Sequence, residues 1–559
     1  MQNVISPPYE YPRSHAHDAE PLLARVRRAI ARRMPTPLQL LTLAIISLIL
    51  LPLAYLVVRA LGTGEQGLAY LTSGRTLAVI WNSVVLMAAC VAAAAAIGVP
   101  FAWLTTRTDL PLRRFWLIAG MLTMVIPSYI GAMMFIEAFG PRGMLQSLLE
   151  PLGVVRLPSI YGFFGAWMAI TLFTYPYVVL PVRAALLNID PALEEAARAL
   201  GHKPWAVFRR VVLPQLRPAM AVGMLLTALY TLSDFGAVAL MRYDAFTRVI
   251  YLQYTGSFDR SRAAILALML VLLTIGLLIL ERRVASSTRG RNYRAGTGCA
   301  RKPVTVPLGR WKLPAIGFCA ALVGIGVFTP IAVLAFWLVR GVNAGIVIDD
   351  LTRATLNTVT ASGLAALVVG LLALPPAVLA VRSVTSRHHR RLNAWLAQSA
   401  YLGNVLPGLV VALAFVFFAA NYLPSLYQTL PLLIIGYCAR FLPFSIGATR
   451  SALLQISPRL DEAARSLGLR PWQVMLRVTT PLARAGILAG VALVFLNAMK
   501  ELPTVLLLSP TGFDTLPMRI WSANMEARMA QTGAPALLLI AVSALSLILI
   551  LREERARRR

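Results

Sequence analysis

The sequence predicts an all-α polytopic membrane protein of about 12 transmembrane helices, laid out as two parallel six-helix repeats. Three observations carry that prediction. Of its 559 residues 58% are apolar and 14% charged, with a mean hydropathy of +0.70, well outside the range of soluble domains. Its positive charge collects on alternate loops between apolar runs. One polar stretch, DPALEEAARALGHKPWAVFRRVVLP at 190–214, returns as SPRLDEAARSLGLRPWQVMLRVTTP at 457–481, identical at 14 positions without a gap.

A helix needs about 20 apolar residues to cross some 30 Å of hydrocarbon. Runs that approach or exceed this length lie at 38–60, 77–105, 115–137, 160–186, 215–240, 263–280, 313–339, 356–381, 393–420, 428–449, 483–508 and 534–551. The first run has no small-residue cleavage site behind it and reads as a retained span rather than a signal peptide. The net charge of +30 raises the question of nucleic acid, and its distribution answers it. Arg25, Arg27, Arg28, Arg32 and Arg33 precede the first span. Arg282, Arg283, Arg289, Arg291, Arg294, Arg301, Lys302, Arg310 and Lys312 follow the sixth, and Arg555, Arg557, Arg558 and Arg559 end the chain. The positive-inside rule places these segments in the cytoplasm, together with Arg107 to Arg114, Arg382 to Arg391 and both repeated stretches. Loops 421–427 and 509–532 on the other side are nearly neutral. Membrane orientation thus explains the basicity without nucleic acid, and both termini are expected in the cytoplasm. Cys90, Cys299, Cys319 and Cys438 have neither CxxC nor metal-ligand spacing and read as small core residues.

The duplication reaches beyond the polar stretch. Asn82-Ser83-Val84 recurs as Asn357-Thr358-Val359, followed at the same distance from each Asn by Pro100 and Pro375, then by Arg107 and Arg382. One register aligns position 82 with 357, and a slightly shorter one aligns 190 with 457, so only loop lengths differ. The expected organisation is a basic cytoplasmic segment 1–34, a first repeat 35–281, a basic linker 282–312, a second repeat 313–552 and a cytoplasmic tail 553–559. Parallel repeats are related by a pseudo-two-fold along the membrane normal, with a pathway between them.

Within the repeated stretch, Asp190-Pro191 and Ser457-Pro458 place a capping side chain before a proline, as at the start of a helix. Leu193, Ala196, Ala197 and Leu200 recur at helical spacing and are matched by Leu460, Ala463, Ala464 and Leu467. This thin, alanine-rich stripe lets another helix or a groove come close. Gly201 and Gly468 stand where a left-handed residue closes a helix. Pro204 and Pro471 then start a second short helix headed by Trp205 and Trp472, large anchors of the kind that carry contact energy. Pro214 and Pro481 are expected to end it at the membrane boundary.

The stretch resembles the EAA signature of the permease subunits of ABC importers, in which Glu-Ala-Ala is followed by Gly and then by an apolar-x-Leu-Pro ending. The first copy supplies Glu195-Ala196-Ala197, Gly201 and Val211-Val212-Leu213-Pro214. The second supplies Glu462-Ala463-Ala464, Gly468 and Val478-Thr479-Thr480-Pro481, departing from the pattern where Thr480 replaces Leu. The resemblance implies a type I ABC importer permease fold and a coupling helix that sits in a groove of an ATPase subunit, and Glu195 and Glu462 are expected to make charged contacts with that partner. Two copies imply two ATPase subunits. No GxxxxGK[ST] phosphate loop occurs in the sequence, so this chain is expected to bind no cofactor, with ATP and Mg on the partner. A membrane-surface helix would also be basic and partly apolar, but would not need a repeated glycine turn.

Acidic residues within apolar spans are costly and are candidate functional sites. Asp234 and Glu501 share the register of the polar stretch and stand equally far beyond Pro214 and Pro481. That distance is ~30 Å along a helix. Each is followed two positions later by a helix-disrupting residue, Gly236 or Pro503, so carboxylates and unwound carbonyls are expected at a shared outer mouth, with Tyr230 and Lys500 nearby. The competing expectation is that both side chains snorkel to the outer interface and are neutralised by Lys500 or Arg242. MKELPTVLLLSPTGFDTLPMRIW (499–521) and SDFGAVALMRYDAFTRVIY (233–251) are similar to segments of fused twelve-span permeases for ferric iron, whose members receive Fe(III) from a periplasmic binding protein. Thiamine, phosphonate, sulfate and polyamine permeases have similar segments. Hard oxygen ligands such as Asp234, Glu501 and Tyr230 suit a trivalent cation, and would suit thiamine or a polyamine as well. Outside this family, an ion-coupled secondary transporter or a membrane scaffold would be the alternatives.

Overall fold

The computed structural model describes residues 36–62, 64–256, 261–288, 305–346, 351–382 and 387–558. The N-terminal segment with its arginines, the linker residues Arg289, Arg291, Arg294, Cys299, Arg301 and Lys302, and Arg559 lie outside them. Among the described residues the chain is helical, with one isolated bridge between Thr108 and Val306.

The elements that build the sites are, in the first half, α1 (Pro37–Leu61), α2 (Gly74–Arg107), α3 (Phe163–Asn188), α4 (Pro191–Ala199), α5 (Leu213–Ser233) and α6 (Ser261–Thr288). In the second half they are α7 (Lys312–Val323), α8 (Thr329–Asn343), α9 (Thr352–Leu372), α10 (Leu430–Gln455), α11 (Pro458–Ser466), α12 (Thr480–Met499) and α13 (Met529–Arg558). Among the described residues eight helices are long and apolar enough to span a membrane, or ten if two bent pairs count as one span each. The 115–137 run is one such pair: Arg113–Met124 and Ser128–Leu152 meet at 100°, with Pro127 at the start of the second helix. The runs at 393–420 and 534–551 yield the shorter apolar helices Gly408–Tyr422 and Met529–Leu545.

Each half is built on three mutually packed helices, α2, α3 and α5 in the first and α9, α10 and α12 in the second. Lipid is as apolar as leucine, so such helices gain contact by close backbone approach at small residues. Gly223 of α5 lies so near α3 that a Cβ there would stand 2.6 Å from Val178 Cα, and its counterpart Gly490 of α12 would meet Ser445 Cα of α10 at 3.0 Å. The first helices are exchanged between the halves. α1 packs on α6 but also on the second half's Leu374–Val381 and Gly408–Tyr422, and α8 packs on α13 and on the first half's Ser128–Phe139. Asn421 Nδ2 donates to the Tyr55 hydroxyl at 3.2 Å, and the Arg59 guanidinium lies over the Phe417 ring at 4.5 Å, across that exchanged contact.

The repeated Asn-Ser/Thr pairs have a structural role. At the ends of α2 and α9 remote from the repeated polar stretches, Asn82 Nδ2 donates to Asp244 O at 3.2 Å, and Ser83 Oγ accepts from Phe246 N at 3.0 Å. Asn357 Nδ2 likewise donates to Asp514 O at 2.9 Å, and Thr358 Oγ1 accepts from Leu516 N at 2.8 Å. In each half this staple fixes the loop behind the intramembrane carboxylate to the long helix, satisfying backbone groups that would otherwise be buried without a partner.

Candidate functional site

The repeated polar stretch folds into α4 and α11, each closed by a glycine turn. Asp190 and Ser457 cap their first turns, accepting from Ala192 N at 3.0 Å and Arg459 N at 3.4 Å. Gly201 and Gly468 have φ of +82° and +87°, a conformation that carries a Cβ penalty for other residues. Amide-to-carbonyl bonds from His202 to Ala197 and from Leu469 to Ala464, both 3.2 Å, close the two turns. Ala197 and Ala464 face inward, each 7% exposed. Ala196, Ala463, Glu195 and Glu462 face outward. Leu193, Leu200 and Trp205 are 37%, 80% and 70% exposed, and Leu460, Leu467 and Trp472 are 46%, 84% and 56% exposed. Each half therefore presents two leucines and a tryptophan beside an outward glutamate, on a surface left open by the described residues.

Pro214 and Pro481 do not end the second helix, as the sequence led us to expect. The helical run continues from Trp205 to Ser233 and from Pro471 to Met499. Proline removes one backbone donor, and just before it the turn widens to a π-helix in both copies, Phe208–Val212 and Met475–Thr479. The wide turn carries the repeated polar stretch directly into the span.

The acidic residue that precedes each outward glutamate was not singled out by sequence, and it is buried. Glu194 pairs with Arg107 at the end of α2, and Asp461 pairs with Arg382 at 2.9 Å. Beside the first pair, residues 306–312 lie along the 107–109 turn. Val306 N donates to Arg107 O at 2.8 Å, Leu308 N to Asp109 Oδ1 at 2.8 Å, and Lys312 Nζ stands 2.8 Å from Asp109 Oδ2.

The second candidate site lies at the break after α5 and α12. The helices stop at Ser233 and Met499, and new helical turns begin at Gly236 and Pro503. Asp234 and Glu501 are 7% and 8% exposed, so neither snorkels to an interface. Asp234 accepts from Ser128 Oγ and from Ala237 N at 2.9 Å, and Tyr230, one turn earlier, tilts against Tyr177 with ring centroids 5.7 Å apart. Glu501 pairs with Arg440 of α10 at 3.3 Å and accepts from Thr504 Oγ1 at 3.0 Å. Among the described residues neither Lys500 nor Arg242 forms an ion pair with these carboxylates. Lys500 Nζ donates across to Met124 O of the first half at 3.1 Å, and Arg242 lies over the Tyr161 ring at 5.1 Å. Ser128, Tyr129, Tyr177, Tyr437 and Arg440 join this centre. Of these, Arg440 had a readable signal, a cation inside an apolar span.

The family model for the inner membrane component of binding-protein-dependent transport systems matches residues 98–290 and again 377–556. The Fe(3+)-transport system permease protein FbpB 2 of Haemophilus influenzae is 31% identical over 524 residues, covering 93% of this chain and 98% of that protein. A probable ABC transporter permease of Sinorhizobium fredii is 26% identical over 86% of this chain and 88% of its own length. The thiamine transport system permease protein ThiP of Escherichia coli is 21% identical over 75% and 78%. Two family matches in one chain, each containing one glycine-turn element and one intramembrane carboxylate, place this chain among the inner membrane permease components of binding-protein-dependent ABC transport systems, in the form that fuses both halves.

Proposed function

We propose that this permease imports ferric iron delivered by a periplasmic binding protein, driven by two ATPase subunits docked in the cytoplasm beneath α4 and α11. The observation that carries the substrate is the near full-length match to a permease named for Fe(3+) transport. The observation that supports two ATPases is the pair of exposed leucine–tryptophan faces, built alike in both halves. Nucleotide and Mg reside on the ATPase, and this chain performs no covalent chemistry. Both termini are cytoplasmic, in a bacterial inner membrane, and the chain engages lipid and protein rather than nucleic acid.

In this reading Glu195, Ala196, Ala197, Gly201, Trp205 and Pro214, with Glu462, Ala463, Ala464, Gly468, Trp472 and Pro481, form the coupling elements. Closure of the ATPases moves α4 and α11, and the continuous helices that follow carry the motion to the breaks at Asp234 and Glu501. Asp234, Tyr230, Glu501, Lys500 and Pro503 line the pathway there, where the two halves meet. Its hard oxygen donors suit a trivalent cation.

The test is reconstitution in lipid with the ATPase and candidate binding proteins. Iron-loaded binding protein should stimulate ATP hydrolysis and the empty protein should not. Stimulation solely by a thiamine-loaded protein would replace iron with the second substrate reading, which the ThiP similarity favours. Glu195→Lys with Glu462→Lys should abolish stimulated hydrolysis in a permease that still folds, and unchanged stimulation would remove those glutamates from the docking contact.

A further inference from the structure

Two parts of the duplication that follow different repeat registers meet in space. Arg107 corresponds to Arg382 in the register that aligns Asn82 with Asn357, and Glu194 corresponds to Asp461 in the register of the polar stretch. In each half the arginine pairs with the carboxylate. The first pair is sealed, with side chains 2% and 5% exposed, and the second nearly so, at 14% and 10%. The two copies also differ in a compensating way. Glu194 is one methylene longer and takes a further contact from Arg198 at 3.5 Å. Asp461 is shorter and accepts from the hydroxyl of Thr479 at 2.9 Å, where the first half has Val212, which offers no hydroxyl.

Each arginine ends a helical column whose far end holds the Asn-Ser/Thr staple. The column from Asn82 to Arg107, like that from Asn357 to Arg382, covers roughly 37 Å of helix. It thus ties the loop behind the intramembrane carboxylate to the helix that faces the ATPase. A buried arginine–carboxylate pair is costly to separate, because either partner alone is left as an uncompensated charge. It therefore transmits displacement rather than absorbing it.

We infer that Arg107–Glu194 and Arg382–Asp461 are positioning pairs that pin each cytoplasmic helix to its transmembrane column, so that movement of the helix becomes movement of the column. They act through α4 and α11 and touch neither nucleotide nor cargo. The inference rests on the ATPase-coupled reading above, although its structural half can be measured on the permease alone.

The experiment has two arms. In the first, hydrogen exchange is followed on full-length permease in lipid nanodiscs without ATPase. Arg107→Gln should speed exchange of the 191–199 amides by about tenfold or more while leaving 458–466 unchanged, and Arg382→Gln should do the reverse. In the second arm, Arg107→Gln with Arg382→Gln is assembled with the ATPase. Copurification and basal hydrolysis should persist, while the ratio of binding-protein-stimulated to basal hydrolysis falls toward one. The charge-reversed pair Arg107→Glu with Glu194→Arg should recover more than half of the wild-type ratio in an Arg382 wild-type background. Unchanged exchange in 191–199, or a wild-type ratio in the double Gln variant, would overturn the proposal. So would a swap no better than Arg107→Glu alone. Should the Gln variants fail to accumulate, Thr479→Val removes one bond to Asp461 and should speed exchange of 458–466 alone, and no change there would count equally against the proposal. Wild-type complex that shows no stimulation would refute the ATPase-coupled reading, while the first arm still decides whether the pairs pin the helices.

Discussion

The two halves are nearly the same molecule at one end and different molecules at the centre. At α4 and α11 each half repeats a cap, a glycine at positive φ, an exposed tryptophan and a buried arginine–carboxylate pair. At the intramembrane carboxylates the repetition stops. Asp234 is held by a hydroxyl and a backbone amide, whereas Glu501 is held by the charged Arg440, beside a lysine that reaches into the other half. The difference follows from what each region must meet. Under the proposed function, two like ATPase subunits require two like surfaces, while a single pathway between halves is asymmetric by construction and leaves each lining free to diverge.

The largest effect should come from removing the cation on one side of that centre. Arg440→Gln breaks the ion pair of the buried Glu501, and breaking a buried pair typically costs about 3–5 kcal/mol. Asp234→Asn keeps an acceptor for Ser128 and Ala237 N and should cost only about 1 kcal/mol. Resistance to unfolding in mixed micelles measures both, and equal losses would break the contrast. Arg440→Gln with Glu501→Gln should recover much of the loss, because the carboxylate that lost its ion pair is gone. A double variant as unstable as the single one would show that Arg440 acts through packing over Phe441, where its guanidinium lies 5.6 Å from the ring.

The fold class, the duplication and the glycine turns were legible because each rests on local signals: apolar length, a repeated stretch, a cap before proline. The buried pairs were not. Arg107 and Arg382 read as ordinary positive-inside residues, and Glu194 sits next to a glutamate that belongs to a recognised signature. Their meeting required knowing that segments in two different repeat registers converge, which is a tertiary fact. Pro214 and Pro481 misled because proline in a helix is usually a stop, whereas a π-turn lets the helix continue. Arg440 is a single cation inside an apolar run, and its pairing with Glu501 of another helix is again a tertiary fact. The exchange of α1 and α8 between halves leaves no trace in either hydropathy or repeat, since a helix that packs on its own half and one that packs on the other have the same apolar faces.

An intermediate effect tests the symmetric end. Trp205 and Trp472 are both more than half exposed, and loss of an anchor that fills a partner's pocket costs about 2 kcal/mol, some thirtyfold in affinity. Trp205→Ala and Trp472→Ala should therefore weaken ATPase binding to nanodisc-embedded permease by similar amounts. One difference could sharpen the comparison. Trp205 is stacked on Phe208 at 5.6 Å, and position 475 in the second half is methionine, so the first tryptophan is held in place before binding. If preorganisation matters, Trp205→Ala is the more damaging change, and a larger loss from Trp472→Ala would exclude it.

The smallest effect concerns a feature of the first half without a counterpart among the described residues of the second, the fastening of residues 306–312 along the 107–109 turn. Lys312 first, and then the Leu308 amide, hold the Asp109 carboxyl below its usual range. A depressed carboxylate pKa gives stability that is present above the unfolded value and lost as pH falls through the folded one. The pair is substantially exposed, so water screens it and the loss is local. Asp109→Asn should speed exchange of the 306–309 amides by about two- to threefold at neutral pH. After correction for intrinsic rates, wild type should approach the variant as the solution is acidified through the carboxylate range. Exchange elsewhere in the first half, and throughout α11, should not change. Identical protection in wild type and variant at neutral pH would mean that the backbone bridge between Thr108 and Val306 holds this segment without help from the charge.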